Sequence, residues 1–188
     1  MSQSSKRIGV LALQGGVAEH LHMLESVGTE AIAVKLPAHL DGLDGIILPG
    51  GESTAIGKLL HKNGLFAPLQ QAIKAGLPTW GTCAGAILLG QVGSDYALQL
   101  APYSVERNAY GSQLDSFETT AAIDGIAEDF PFIFIRAPKF AELGGDCKVL
   151  ARIKGEPVFL QCDHIWATAF HPELSDDPRV HAAFVERC

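Results

Sequence analysis

The chain has 188 residues, of which 47% are hydrophobic and 19% charged, with a formal net charge of −7. One domain spanning 1–188 fits that length where two would be cramped, and the acid excess excludes a nucleic-acid surface or an anionic membrane as partner, since both need a basic field. No apolar run approaches the ~18 residues of a membrane span, and the apolar run after polar Met1–Arg7 is too short for a signal peptide, so a soluble, cytoplasmic protein is expected.

The first half alternates short apolar runs with helical patterns. Ile8–Leu13 is apolar on both faces, which suits a central strand of a parallel sheet covered on both sides. Gln14-Gly15-Gly16 breaks it, and Val17–Val27 follows with Val17, Leu21 and Leu24 at helical spacing and Gly28 as the stop. Ala31–Lys35 and Gly45–Leu48 read as strands, the second halted by Pro49-Gly50-Gly51. Ser53 is a good N-cap for a helix to about Asn63, and a further helix covers Phe66–Ala75. Leu77–Thr82 reads as a strand and Ala84–Leu89 as a helix. Strand and helix in strict alternation predict an α/β fold with an open, mostly parallel sheet flanked by helices.

The second half changes character. Val105–Glu118 reads as a hairpin or irregular strand pair, and Phe132–Arg136, Lys148–Ile153, Val158–Gln161 and Ile165–Phe170 read as strands. A closing helix is expected over Pro178–Val185. Cys83, Cys147, Cys162 and Cys188 fit neither a metal knuckle nor a dense disulfide framework. In a reducing compartment they are expected as free thiols.

The sharpest local feature is Trp80-Gly81-Thr82-Cys83-Ala84-Gly85, a small-residue cluster joining a buried strand to a helix. Gly81 and Gly85 leave room for a tight turn that presents the thiol at a helix N-terminus, where the dipole favours a thiolate. A backbone N–H at Ala84 then faces an oxyanion formed on the attacked carbon. A buried structural cysteine is the competing reading until a base is found. Phe170-His171-Pro172-Glu173 supplies one. His171 ends an apolar strand, at the sheet edge where open α/β folds place their active sites. Pro172 restricts it to an extended conformation, and Glu173 is near enough to orient the imidazole. Cys83, His171 and Glu173 then form a triad in role and geometry. Leu48-Pro49-Gly50-Gly51-Glu52-Ser53 offers a second oxyanion donor at Gly51, and it lacks the Gly-Lys-Ser/Thr ending of a phosphate-binding loop.

Together these motifs resemble a class I glutamine amidotransferase domain. The finer match, through Leu11-Ala12-Leu13-Gln14-Gly15, Leu48–Thr54, Gly81–Gly85, Glu106-Arg107-Asn108, Ser116-Phe117-Glu118, Phe134-Ile135-Arg136-Ala137-Pro138 and Phe170–Leu174, resembles the glutaminase subunits of pyridoxal phosphate synthase over almost the whole chain. The resemblance implies hydrolysis of L-glutamine to glutamate and ammonia through a glutamyl thioester, with no cofactor and no metal. It implies ammonia transfer to a separate synthase subunit in a large hetero-oligomer. It implies that Gly51, Glu52, Ser53, Arg107, Ile135 and Arg136 bind glutamine. An arginine fork suits the substrate's α-carboxylate, although a structural salt bridge is the alternative for Arg107 and Arg136. Two departures stand out: Gly16 where alanine is usual, and Cys162-Asp163-His164 where a Gly-Asn-type turn is usual. His20 and His22, two apart on a helix, do not face each other and make poor joint metal ligands. The competing functions are the glutaminase subunit of another amidotransferase, a stand-alone enzyme whose base lies nearer its cysteine, and a catalytically silent regulatory subunit.

Overall fold

Strand β1, Arg7–Leu11, buries every residue after Arg7, and it lies inside a sheet as its two-sided apolar character requires. In a computed structural model, residues 5–106 and 116–188 are described. After β1 come helix α1 (Val17–Ser26), β2 (Glu30–Val34), β3 (Gly45–Leu48), α2 (Ser53–Lys62), α3 (Phe66–Lys74), β4 (Thr79–Thr82) and the short α4 (Ala84–Leu89). The rest runs β5 (Ser104–Glu106), β6 (Ser116–Ile123), β7 (Ala127–Ile135), β8 (Lys139–Ala141), β9 (Lys148–Ile153), β10 (Glu156–Cys162), β11 (Ile165–Thr168) and α5 (Arg179–Arg187).

A seven-stranded sheet takes the order β2-β1-β3-β4-β11-β10-β9. Its first five strands are parallel, and β10 and β9 complete it antiparallel. The architecture is therefore the open, mixed, mostly parallel α/β sheet that the alternation predicts. Among the described residues no helix is long and apolar enough to cross a membrane.

Two features of the second half differ from expectation. Val105–Glu118 is not a strand pair closed on itself. β5 pairs antiparallel with β8, and β6 pairs with β7 in a separate ribbon; residues 107–115 lie outside the described residues. Local alternation announces a strand but not a partner some thirty residues away. The cysteines also differ. Cys147 and Cys162 form a disulfide, while Cys83 and Cys188 are free. The antiparallel register pairs Gln161 with Lys148, so the next cross-strand position sets Cys162 opposite Cys147. That proximity belongs to the hairpin of β9 with β10: the two cysteines stand symmetrically about the two-residue turn Lys154-Gly155, which sets Ile153 opposite Glu156.

The ribbon matters to the site because of how it is anchored. Phe130, Phe132 and Phe134 alternate along β7 and are all buried, with Phe170 packed against each of them. This aromatic cluster clamps the ribbon to the chain leaving β11. The backbone N–H of His171 consequently donates to the Ile133 carbonyl at 2.8 Å.

Candidate active site

β4 and β11 are parallel neighbours whose registers end together, Thr82 opposite Thr168. The ladder continues one step further, the Cys83 N–H donating to the Thr168 carbonyl at 2.8 Å. Cys83 is therefore tied to the strand that leads to His171. It is the N-cap of α4, with φ 47° and ψ −102°. A non-glycine residue held in such a region costs about 1–3 kcal/mol and persists only where its surroundings over-determine it. Here the neighbouring glycines do so. A Cβ on Gly81 would stand 2.6 Å from the Ala86 nitrogen, and one on Gly85 would collide with the Leu48 carbonyl. The turn closes only because both lack side chains. The Cys83 thiol faces the Ile135 carbonyl at 3.9 Å.

His171 has φ −108° and ψ 84°, the non-helical backbone that a following proline enforces. Its Nδ1 bonds Glu173 Oε1 at 2.8 Å, and both side chains are nearly buried. The ring's Cε1 lies 2.6 Å, and the Cys83 Cβ 3.5 Å, from the point where a Cβ on Gly50 would stand. Sulfur-bearing and imidazole side chains thus meet over Gly50. Burial works against a charge on His171, whose Nε2 completes no hydrogen bond in the protein, but the neighbouring Cys83 side chain and the bonded Glu173 carboxylate outweigh it and raise the pKa to about 10. Burial likewise opposes ionisation of Glu173, and the imidazoles of His20 and His171 hold its carboxyl below the usual range.

The third wall is the loop between β3 and α2. The Gly50 carbonyl accepts the Gly16 N–H at 3.0 Å, and the Glu52 N–H donates to Gln14 Oε1 at 2.8 Å. Gln14, at the break after β1, therefore clasps the loop; nothing in its spacing marks it for that role. The helix cap differs from the one expected. Glu52, not Ser53, caps α2, its carboxylate accepting the Thr54 and Ala55 N–H groups at 2.9 and 2.8 Å. Ser53 takes the first helical position instead, and its Oγ is buried with no hydrogen-bond partner. The longer glutamate side chain reaches back to donors that a serine at 53 would meet only if the helix began one residue later.

These walls enclose a pocket of about 360 Å³ lined by Gly51, Glu52, Ser53, Cys83, Ile87, Ile135, Arg136 and His171. Of the expected site residues, Gly51, Glu52, Ser53, Ile135 and Arg136 converge there with Cys83 and His171. Glu173 stands behind His171, and Ala84 opens α4 beside Cys83. Arg107 lies outside the described residues. Arg136 follows β7 with φ 46°, and no ion pair within the described residues engages it. No group of three or more His, Cys, Asp or Glu among the described residues is arranged to hold a metal. His20 instead packs wholly buried behind the site, against Thr82, His181 and Glu173. Pairing it with His22 gave no hint of that, because its partners lie on three other segments.

The SNO glutamine amidotransferase family matches residues 10–188. The chain is 50% identical over 183 residues to the pyridoxal 5'-phosphate synthase subunit PdxT of Brevibacillus brevis, covering 96% of each. It is 47% identical over 186 residues to the subunit of the same name from Clostridium kluyveri, covering 97% of this chain and 99% of that one. A crystal structure described as a glutamine amidotransferase superposes with a TM-score of 0.91 at 44% identity, over 96% of this chain and 97% of that one.

Proposed function

The chain belongs to the SNO glutamine amidotransferase family, and from that premise we propose that it is the glutaminase subunit of a pyridoxal 5'-phosphate synthase, hydrolysing L-glutamine and passing the ammonia to a synthase subunit. The observation that carries the reading is the meeting of Cys83 and His171 over Gly50, with Glu173 bonded to the far side of the imidazole.

The chemistry runs in two halves. Cys83 Sγ attacks the carboxamide carbon of glutamine, and the carbonyl oxygen becomes an oxyanion. The backbone N–H groups of Gly51 and Ala84 stabilise it; removing one such donor typically costs ~2.7–4 kcal/mol. His171, protonated at neutral pH, gives its Nε2 proton to the nitrogen as the C–N bond breaks. Ammonia leaves, and the glutamyl thioester remains on Cys83. His171, now neutral, takes a proton from water, the resulting hydroxide attacks the thioester, and glutamate departs with the thiolate restored. Glu173 holds the ring in the tautomer that leaves Nε2 free to work.

Substrate recognition follows from the pocket walls. The guanidinium of Arg136 supplies a cation for the α-carboxylate, with Arg107 the second candidate. The orphaned Ser53 Oγ gains in bound glutamine the partner that the protein withholds. Glu52, Gly51 and the Ile135 backbone complete the contacts. The synthase partner and the large hetero-oligomer belong to this reading, as does a cytoplasmic site of action, where the Cys147–Cys162 bond is open to reduction.

The test is ammonia and glutamate release from glutamine by the purified chain, alone and with the synthase subunit. Weak release alone and a large rise with the partner are expected. Cys83→Ala abolishes thioester formation while glutamine still binds. Parental turnover by Cys83→Ala, or equal robust turnover without any partner, overturns the reading.

A further inference from the structure

Behind the triad lies a polar cluster that the reaction as described does not use. His20 on α1 is completely buried. Its Nδ1 is 2.9 Å from His181 Nε2 on α5, and its Nε2 is 3.2 Å from Thr82 Oγ1 and 3.5 Å from Glu173 Oε2. One ring therefore touches the residue before the nucleophile and the acid of the triad. The indole of Trp80 packs edge-on against both histidines, and its own N–H is taken by Thr168 Oγ1. Glu173 Oε2 is buried and has no completed hydrogen bond. His20 Nε2 is the ionisable group set against it, as His171 is set against Oε1.

We infer that His20 is a positioning residue for the glutaminase reaction: it directs an Nε2–H at the outer oxygen of Glu173, and His181 fixes that tautomer. The inference rests on the functional reading above.

The proton inventory carries the argument. Burial lowers the pKa of both His20 and His181, against the pull of the Glu173 carboxylate on His20, and what matters is where the N–H sits when each ring carries one. Two arrangements follow. In one, His181 Nε2–H donates to His20 Nδ1, and His20 Nε2–H is shared between Thr82 Oγ1 and Glu173 Oε2. Both ring donors are then used, the Thr82 hydroxyl proton turns away from the ring, and the lone pair of His181 Nδ1 has no partner. In the other, His20 donates from Nδ1 to His181. His20 Nε2 can then accept the Thr82 hydroxyl proton at 3.2 Å, but Glu173 Oε2, 3.5 Å away, is left with no donor, and the His181 Nδ1–H is buried without an acceptor. The second arrangement strands a fixed ring N–H and leaves a buried carboxylate oxygen without a donor, whereas the first displaces only a rotatable hydroxyl proton, so the first prevails.

The consequence is mechanical. A carboxylate held at Oε1 alone can rotate about its Cγ–Cδ bond. Held at both oxygens it fixes the direction of the His171 ring, and so the line from Nε2 to the substrate nitrogen. Misplacement of a reacting group by about 1 Å costs up to ~100-fold in rate.

The experiment compares His20→Leu, His20→Gln and His20→Asn in the complex with the synthase subunit. Gln places an amide N–H near the Nε2 position; Asn reproduces Nδ1 only. Expected are a fall in kcat of about 10- to 100-fold for His20→Leu with KM nearly unchanged, substantial rescue by His20→Gln, and none by His20→Asn. His181→Leu is expected to show a smaller loss. A second readout needs no substrate: the downfield proton NMR signal of the His171 Nδ1–H, which reports the bond to Glu173. It moves in His20→Leu and returns toward the parental position in His20→Gln. If the signal responds in this way while no variant, nor the parent, releases ammonia, the functional reading fails and the positioning stands. Parental kcat and an unmoved signal in folded His20→Leu, or a His20→Gln protein no better than His20→Asn, overturns the inference.

Discussion

Gly50→Ala is the most direct perturbation of the proposed site, because its magnitude follows from the coordinates. Gly50 does not have a positive φ, so alanine meets no backbone penalty there. The new Cβ, however, would stand 2.6 Å from His171 Cε1 and 3.0 Å from Nδ1. Non-bonded carbons settle at about 3.5–4.0 Å, so something must move by about 1 Å. The loop is poorly placed to yield: its carbonyl is held by the Gly16 N–H and its next turn by Gln14. The His171 backbone is held by Ile133, so the imidazole ring is the part that swings. A swing of that size stretches the 2.8 Å bond to Glu173 and carries Nε2 off the sulfur. The rate penalty for such misplacement is about 100-fold, equivalent to about 2.7 kcal/mol. The assay is kcat and KM for glutamine in the complex, with thermal unfolding as the control for folding. A folded Gly50→Ala protein with parental kcat would falsify the placement of His171 as the acting acid and base.

Two further outcomes follow. With its pKa raised to about 10, the His171 ring is protonated at neutral pH; NMR titration of the imidazole should show this, and Cys83→Ala should titrate lower because one source of the rise is gone. The sign for stability is that of a raised pKa: the contribution is complete below 6.5 and fades as pH climbs toward 10. A ring already neutral at pH 7.5 in the parent protein contradicts this. Reduction of the Cys147–Cys162 bond, or Cys147→Ser, should lower stability by up to ~3 kcal/mol for a separation of 15 residues. Calorimetry checks this as a fall of up to ~10 °C in Tm. Glutamine turnover should stay unchanged, since the bond lies where β11 begins and the pocket where it ends. A turnover loss matching the Tm loss refutes that separation.

What was legible in the sequence was whatever short-range rules control. Gly81 and Gly85 around Cys83, and Pro172 after His171, are local constraints, and each announces its own turn. Parallel strands carry their functional residues to one edge, so a cysteine after one strand and a histidine after another are expected to share a rim. What was hidden depends on register and on long contacts. The pairing of β5 with β8 is decided by a contact across more than thirty residues that no local pattern specifies, whereas the β6–β7 and β9–β10 hairpins turn at Asp124-Gly125 and Lys154-Gly155, local signals whose partners emerge only when both flanking strands are read together. The helix cap went to Glu52 over Ser53 because reach decided it, where residue preference alone favoured serine.

His20 shows the sharpest form of this limit. In sequence it is one of two histidines in a polar stretch, and its spacing argues only against a metal. Its meaning comes from α1 and α5 packing on the same face of the sheet, which buries two imidazoles against the back of Glu173. Burying polar rings without a job is costly, and hydrophobic side chains would fill the same volume at less cost. The arrangement is explained if the carboxylate behind His171 must be held at both oxygens, since Glu173 is itself buried and water cannot restrain it. The same burial that makes Glu173 an effective orienter therefore creates the need for a second donor, and α1 supplies it one turn beyond Gly16, whose N–H holds the Gly50 carbonyl.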